Sequence, residues 1–131
     1  MKKNEEQKRL NSLAEHVLDY LHKKNSYAEI NLITSAQMRK LNFEYRGQDK
    51  TTNVLSFQYP SMFPKINNGL PKLLGEVYLD QVVIKKRAEN IDYLMVHGLL
   101  HLLGLDHERY DDRIKMERIE KKILKWLKKE Y

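Results

Sequence analysis

The 131-residue sequence contains no cysteine, only three prolines and five glycines, and a single tryptophan. The absence of cysteine excludes a disulfide framework, a cysteine nucleophile and any metal site with thiolate ligands. A bound metal would therefore need His, Asp or Glu. The longest apolar run, 94–105, contains two histidines and is shorter than the roughly 20 residues of a membrane span. The N-terminal segment is basic with no apolar stretch behind it, so we expect no secretory signal, a soluble chain and a cytoplasmic location.

The hydrophobic and charged content, the length and the net charge of the chain indicate one globular unit with a basic surface. Hydrophobic residues make up 41% of the chain and charged residues 32%, which is typical of a folded chain. The length predicts a single domain over residues 1–131. The net charge of +6 favours a polyanionic partner such as nucleic acid, or reflects only a basic surface. Most of this excess lies in residues 113–131, which either follow an RNA backbone or form a solvated helix face.

Hydrophobic periodicity predicts helices and strands without strict alternation between them. Helices are predicted at 6–23, after Ser35 as N-cap, from Asp80 as N-cap to Arg87, at 91–103 and at 111–129, and strands at 27–33, 54–59 and 73–79. A turn is predicted at 46–50 and a long loop at 60–72. These patterns predict an α+β fold in which a mixed sheet of about four strands is covered by helices.

The most specific pattern is the segment from His97 to His107, HGLLHLLGLDH. His97 and His101 are four residues apart on the predicted buried helix, so both project from one face. Gly104 lets the chain leave that helix in a left-handed conformation, and a tight reversal could return His107 to the same ion. Three imidazoles with an open fourth position are typical of a catalytic zinc site, where the ion lowers the pKa of bound water to about 7.

The sequence favours this zincin-like helix over two other interpretations of the histidines. The HxxxHxxGxxH spacing arises by chance about 3 times in 10,000 chains of this composition. Three core histidines would need partners that a leucine-rich segment does not supply. A zinc peptidase of the HExxH type has its general base directly after the first histidine, where this chain has Gly98. His16 and His22 lie outside the pattern, and we expect both at the surface.

Three blocks, in this order along the chain, resemble the YbeY family of bacterial metal-dependent endoribonucleases. Residues 42–57, NFEYRGQDKTTNVLSF, resemble the family's NxxYRxxDxxTDVLSF, and residues 74–79, LGEVYL, resemble LGDIxI. The histidine segment resembles HGxLHLxGYDH. Asn53, Glu76 and Leu105 stand where the family usually has Asp, Asp and Tyr. Asn53 is therefore not a candidate general base.

The resemblance implies both a site and a function. His97, His101 and His107 would bind one Zn²⁺, and Arg46 would be the family's functionally important arginine, so these four are the candidate catalytic residues. The implied activity is single-strand-specific endoribonuclease cleavage in ribosomal RNA maturation, notably at the 3′ end of the small-subunit RNA, with a link to ribosome quality control. The implied partners are single-stranded or ribosomal RNA and the ribosome or its small-subunit proteins. No membrane or DNA partner is expected, and the implied fold is a small mixed sheet flanked by helices.

The chemistry of these residues fits phosphodiester cleavage. A zinc ion supplies a Lewis acid or a nucleophile, and the planar, permanently charged guanidinium of Arg46 suits a phosphate group. Asp106 either orients a ligand imidazole or caps the following helix. Four aromatic residues either stack on unpaired RNA bases or belong to the core: Tyr45, Phe57, Tyr59 and Phe63. Two alternatives stay open: another zinc hydrolase such as a peptidase, and a non-catalytic ribosome-assembly factor with a structural zinc.

Overall fold

The computed structural model describes residues 2–23, 25–59, 70–105 and 110–130. In chain order these form α1 (Lys3–Tyr20), β1 (Ser26–Ile33), α2 (Ser35–Arg46), β2 (Val54–Gln58), β3 (Lys72–Asp80), α3 (Gln81–Lys86), α4 (Ile91–Leu102) and α5 (Tyr110–Glu130). The predicted α+β class is confirmed. Most of the loop predicted at 60–72 lies outside the described residues.

The three described strands form one mixed sheet with β3 in the centre. β1 pairs with β3 in parallel and β2 pairs with β3 in the antiparallel sense. The parallel pair needs a long crossover, which α2 and β2 provide between β1 and β3. The mixed sheet is confirmed, but the expectation of about four strands is wrong for the described chain. Only three of its segments have strand patterning, and its other long segments are helical.

One face of the sheet forms the hydrophobic core with α1 and α4. Ile30 lies opposite Val77 and Leu32 opposite Leu79, and all four side chains are buried. The apolar character of the 91–103 segment predicts a buried helix, and α4 is buried along most of its length against β2 and β3. Burying one such aliphatic side chain stabilises the fold by about 1.5–3 kcal/mol. The core therefore holds α4, which carries His97 and His101, firmly against the sheet.

Helix α2 begins and ends differently from the sequence expectation. Thr34, not Ser35, is the N-cap, because its hydroxyl accepts a hydrogen bond from the Gln37 N–H while the Gln37 side chain accepts one from Thr34 N–H. This capping box satisfies two otherwise unpaired donors. Arg46 was predicted to start a turn but is the last residue of α2, and Gly47 ends the helix with a left-handed φ of 68°.

The ends of the other helices follow local chemistry closely. Asp80 caps α3 as predicted, accepting hydrogen bonds from Val82 N–H and Val83 N–H. Helix α3 has only six residues. Helix α4 ends one residue before the predicted boundary, and Gly104 follows it with a φ of 93°. None of the helices in the described ranges has both the length and the apolar character needed to cross a bilayer.

Candidate metal centre

Close packing of α4 on the sheet determines which way its two histidines face. A Cβ atom added at Gly98 would lie only 2.9 Å from Val77 Cγ1 and 3.5 Å from Val54 Cγ2. Position 98 therefore faces the sheet directly and has no room for a side chain. His97 and His101 lie on another side of the helix, and His97 contacts α5.

The two imidazoles form a close pair on α4. His97 Nε2 and His101 Nε2 are 3.3 Å apart, and the ring planes are inclined at 76°. Two nitrogen ligands at ~2.05 Å from a tetrahedral Zn²⁺ lie about 3.3 Å apart. The pair therefore has the separation that two ligands of one zinc ion require. At this distance one Nε2 donates a hydrogen bond to the other.

Glu120 of α5 is a functional candidate that the sequence patterns did not identify. His97 Nδ1 donates a hydrogen bond to Glu120 Oε1 at 2.9 Å, because a carboxylate can only accept. A proton at Nδ1 leaves Nε2 of the neutral ring with its lone pair directed at His101. Glu120 is only 4% exposed. A carboxylate behind a histidine is the usual arrangement that orients a metal ligand.

Tyr93 contacts both His97 and Glu120. Its ring stacks on the His97 imidazole with centroids 6.1 Å apart. The hydrogen bond between Tyr93 and Glu120 raises the pKa of Tyr93 to about 12, with further contributions from burial and from the negative charges of Glu120 and Glu117. Tyr93 therefore stays protonated and donates to Glu120, which accepts from both rings.

A signal for Glu120 is present in the sequence. It lies four residues after Met116, three before Ile123 and seven before Leu127, all of which are buried. Helical spacing therefore assigns this glutamate to the apolar face of α5. A charged residue at such a position needs a partner, and only the tertiary structure identifies that partner as His97.

Of the other predicted site residues, the structure describes only Arg46. Arg46 is exposed at the end of α2, and its side chain forms no hydrogen bond or ion pair with another described residue. His107 and Asp106 lie outside the described residues. Within the described ranges, no three His, Asp or Glu side chains converge as a complete metal-binding group. The described structure thus brings together two of the predicted ligand side chains, His97 and His101.

The residues that depart from the resembled motifs have partners of their own. Asn53 Nδ2 donates to both carboxylate oxygens of Glu89 at 3.1 Å, and its Oδ1 accepts from Val54 N–H. Glu76 accepts hydrogen bonds from the hydroxyls of Tyr59 and Tyr78. The side chain of Asn53 therefore fixes the loop before β2, and the side chain of Glu76 belongs to a polar cluster on the sheet.

The aromatic candidates divide between exposed and packed positions. Tyr45 is 63% exposed, and its ring lies 5.0 Å from that of Phe57, which in turn lies edge-on to Tyr78. Tyr59 is at the end of β2 and partly exposed, whereas Phe63 lies outside the described residues. His16 and His22 are exposed, as expected.

Comparison with known proteins identifies the family of this chain. The model of the family described as Endoribonuclease YbeY matches residues 1–128. The chain belongs to the YbeY family. Proteins named Endoribonuclease YbeY are similar to it: that of Rhodospirillum rubrum is 41% identical over 107 residues, covering 73% of this chain and 54% of the relative. That of Idiomarina loihiensis is 36% identical over 130 residues, covering 91% and 77%.

The YbeY relatives also differ from this chain in length. The match spans 54% of the Rhodospirillum rubrum protein and 75% of the Bartonella henselae protein, which is 33% identical. The solution structure of TM1509 from Thermotoga maritima has a TM-score of 0.57 to this chain at 20% identity, covering 99% of this chain and 89% of TM1509. That similarity supports the fold, whereas the family rests on the sequence match.

Proposed function

We propose that this chain is a metal-dependent endoribonuclease that cleaves single-stranded RNA, with residues 1–131 acting as one domain. Its relatives carry the name endoribonuclease. The substrate implied by the family resemblance is ribosomal RNA, processed at the 3′ end of the small-subunit RNA in the cytoplasm with the ribosome or its small-subunit proteins as partners. The observation that carries the proposal is the imidazole pair of His97 and His101, supported by Glu120.

His97, His101 and His107 would hold one Zn²⁺ in this proposal. The 3.3 Å separation of the first two Nε2 atoms fits that ion. Glu120 keeps the Nδ1 proton of His97 in place, so that Nε2 remains available as a ligand. When bound, the ion supplies Lewis-acid chemistry for attack at the phosphorus of a phosphodiester.

Arg46 would neutralise charge on the phosphoryl oxygens. Its guanidinium is exposed and has no ion pair with any described residue, so binding a phosphate breaks no interaction there. The planar fork of an arginine donates two parallel hydrogen bonds to such a group. Its contribution would be greatest where negative charge builds up in the transition state.

The peptidase alternative receives no support from the helix geometry. The general base of an HExxH peptidase occupies the position of Gly98. In this chain that position packs on Val77 and Val54 with no space for a carboxylate. We therefore retain the nuclease proposal, and keep the assembly factor with a structural zinc as an outcome of its test.

The test is cleavage of a labelled single-stranded RNA by the zinc-loaded protein and by two matched variants. His101→Ala removes a proposed ligand, whereas His16→Ala removes an exposed histidine on α1. We expect the wild type and His16→Ala to cleave at the same rate, and His101→Ala to be at least about 100-fold slower, since loss of a metal ligand removes most metal-assisted catalysis. Circular dichroism verifies that both variants are folded.

Equal cleavage by all three proteins would identify a contaminating ribonuclease and contradict the proposal. Absence of cleavage by the wild type, on naked RNA and on small ribosomal subunits alike, would favour the assembly factor. In that case His101→Ala should lower the melting temperature in zinc without any change in RNA integrity.

A further inference from the structure

Helix α5 has a strongly basic outer face that the metal centre does not use. Between 118 and 129 it carries six cations, Arg118, Lys121, Lys122, Lys125, Lys128 and Lys129, which we call the basic stripe. All six are exposed. The only acidic residue in this interval is Glu120, which is buried on the opposite side against His97. The stripe is therefore cationic along its whole length.

The stripe lies directly opposite the apolar face of the helix. At 100° per residue, its six positions centre about 180° from those of the buried Met116, Ile123 and Leu127. It extends over about 17 Å of helix. Since the side that packs on the core is so well defined, the stripe is directed to solvent throughout.

A stripe of one sign is unfavourable for the helix itself. Cations three or four residues apart, such as Lys121 and Lys125, repel each other and destabilise a helix. Solvated helix faces usually offset this with acidic residues at the same spacing. No residue of the stripe forms an ion pair with another described residue. An anionic partner would remove this repulsion.

We propose that the basic stripe binds the phosphate backbone of the RNA substrate, outside the segment that is cut. This inference rests on the proposed ribonuclease function and extends it. A membrane surface is the less favoured partner, because an interfacial helix needs a free apolar face and that of α5 is buried in the core. Lysine and arginine contacts to phosphates are independent of sequence, and they release counterions from the nucleic acid.

The stripe and the metal centre are connected through α5. The inner side of the helix supplies Glu120 to the histidine pair, while the stripe faces outward. A groove of about 920 Å³ is lined both by Lys128 of the stripe and by Tyr93, the residue stacked on His97. An RNA of sufficient length would therefore contact the centre with one segment and the stripe with another.

The test measures binding without cleavage, in EDTA, by fluorescence anisotropy of a labelled 40-nucleotide single-stranded RNA over a range of salt concentrations. The triple variant Lys121→Gln/Lys125→Gln/Lys128→Gln is compared with Lys8→Gln/Lys40→Gln/Lys86→Gln. The control removes three exposed lysines from α1, α2 and α3 and so has the same net charge. The plot of log K for RNA binding against log[salt] has a negative slope. We expect the magnitude of this slope to decrease by about 2 in the stripe variant and by less than about 0.7 in the control.

Equal slopes for the two variants would overturn the inference. Loss of binding to phosphatidylserine vesicles in the stripe variant, with an unchanged RNA slope, would overturn it in favour of a lipid surface. Cleavage of a 10-nucleotide RNA with zinc separates this inference from the proposed function. An inactive wild type would contradict the nuclease but leave the salt slopes intact, because the slopes are measured in EDTA without cleavage.

Discussion

The buried carboxylate of Glu120 on α5 distinguishes this site from an ordinary hydrophobic contact between two helices. Glu120 accepts hydrogen bonds from His97 and Tyr93, so its charge is matched by two donors. A carboxylate in an apolar environment without such donors would be strongly destabilising. Its position therefore ties the orientation of His97 to the packing of α5 on α4.

Glu120→Gln is expected to weaken zinc binding by about 10- to 100-fold, because the amide accepts less strongly from His97 Nδ1 than a carboxylate does. Competition with a chromophoric chelator measures this affinity without any RNA. Glu117→Gln is the matched control, since Glu117 is exposed on the same helix. Zinc binding by Glu120→Gln that equals the wild type would show that the carboxylate has no part in holding the ligand.

At the scale of the elements, the sequence predicted which helices exist more accurately than where each helix begins and ends. The buried helix, its end near Gly104 and the cap at Asp80 all follow from local chemistry and are confirmed. The start of α2 was misplaced by one residue because Thr34 and Ser35 are both good caps. Only the observed backbone, extended at Thr34, selects between them.

Helix α4 depends on the missing side chain at Gly98. Alanine normally favours a helix over glycine by about 1 kcal/mol, but here its Cβ would lie 2.9 Å from Val77 Cγ1. We expect Gly98→Ala to lower the free energy of unfolding by about 1 kcal/mol, since overpacking costs about 1–3 kcal/mol. Urea denaturation measures the change.

A double-mutant cycle with Val77→Ala tests the cause. Removing the valine methyl groups relieves the contact, so the double variant should be more stable than the sum of the two single effects. Additive losses, or a Gly98→Ala protein more stable than the wild type, would exclude close packing as the reason for glycine.

At the scale of the whole molecule, Asp80 connects segments that are distant in sequence. Its carboxylate accepts from Thr51 Oγ1 at 2.7 Å, from Val82 and Val83 N–H, and from the Ser35 side chain. Burial by itself raises the pKa of Asp80, but these hydrogen bonds outweigh it and hold the pKa below the ordinary value of 3.8. The single carboxylate of Asp80 is therefore hydrogen-bonded to the start of α2, the loop before β2 and the start of α3.

This lowered pKa predicts a stability loss in acid. Because protonation is easier in the unfolded chain, the stabilisation by Asp80 is complete above the ordinary value of 3.8 and disappears as the pH falls through the lowered folded value. We expect Asp80→Asn to be less stable than the wild type by about 1–3 kcal/mol at pH 7 and the two proteins to converge at low pH. Urea denaturation at pH 7, 5 and 3 measures this.

The exposed Glu15→Gln variant is the control for a lost surface carboxylate, and it should follow the wild type at each pH. A difference between Asp80→Asn and the wild type that is the same at pH 7 and pH 3 would show that Asp80 contributes only through uncharged contacts.

The sequence by itself determined the class of fold, the helix that carries the histidines and the family. These depend on short-range patterns: helical and strand periods, caps, and the spacing of His97, His101 and Gly104. The close approach of α4 to the sheet at Gly98, the partner of Glu120 and the hydrogen bonds of Asp80 to Ser35 and Thr51 were decided only by the tertiary structure. Each joins residues far apart in sequence, for example 23 positions for His97 and Glu120, and no local pattern encodes which distant surfaces will pack together.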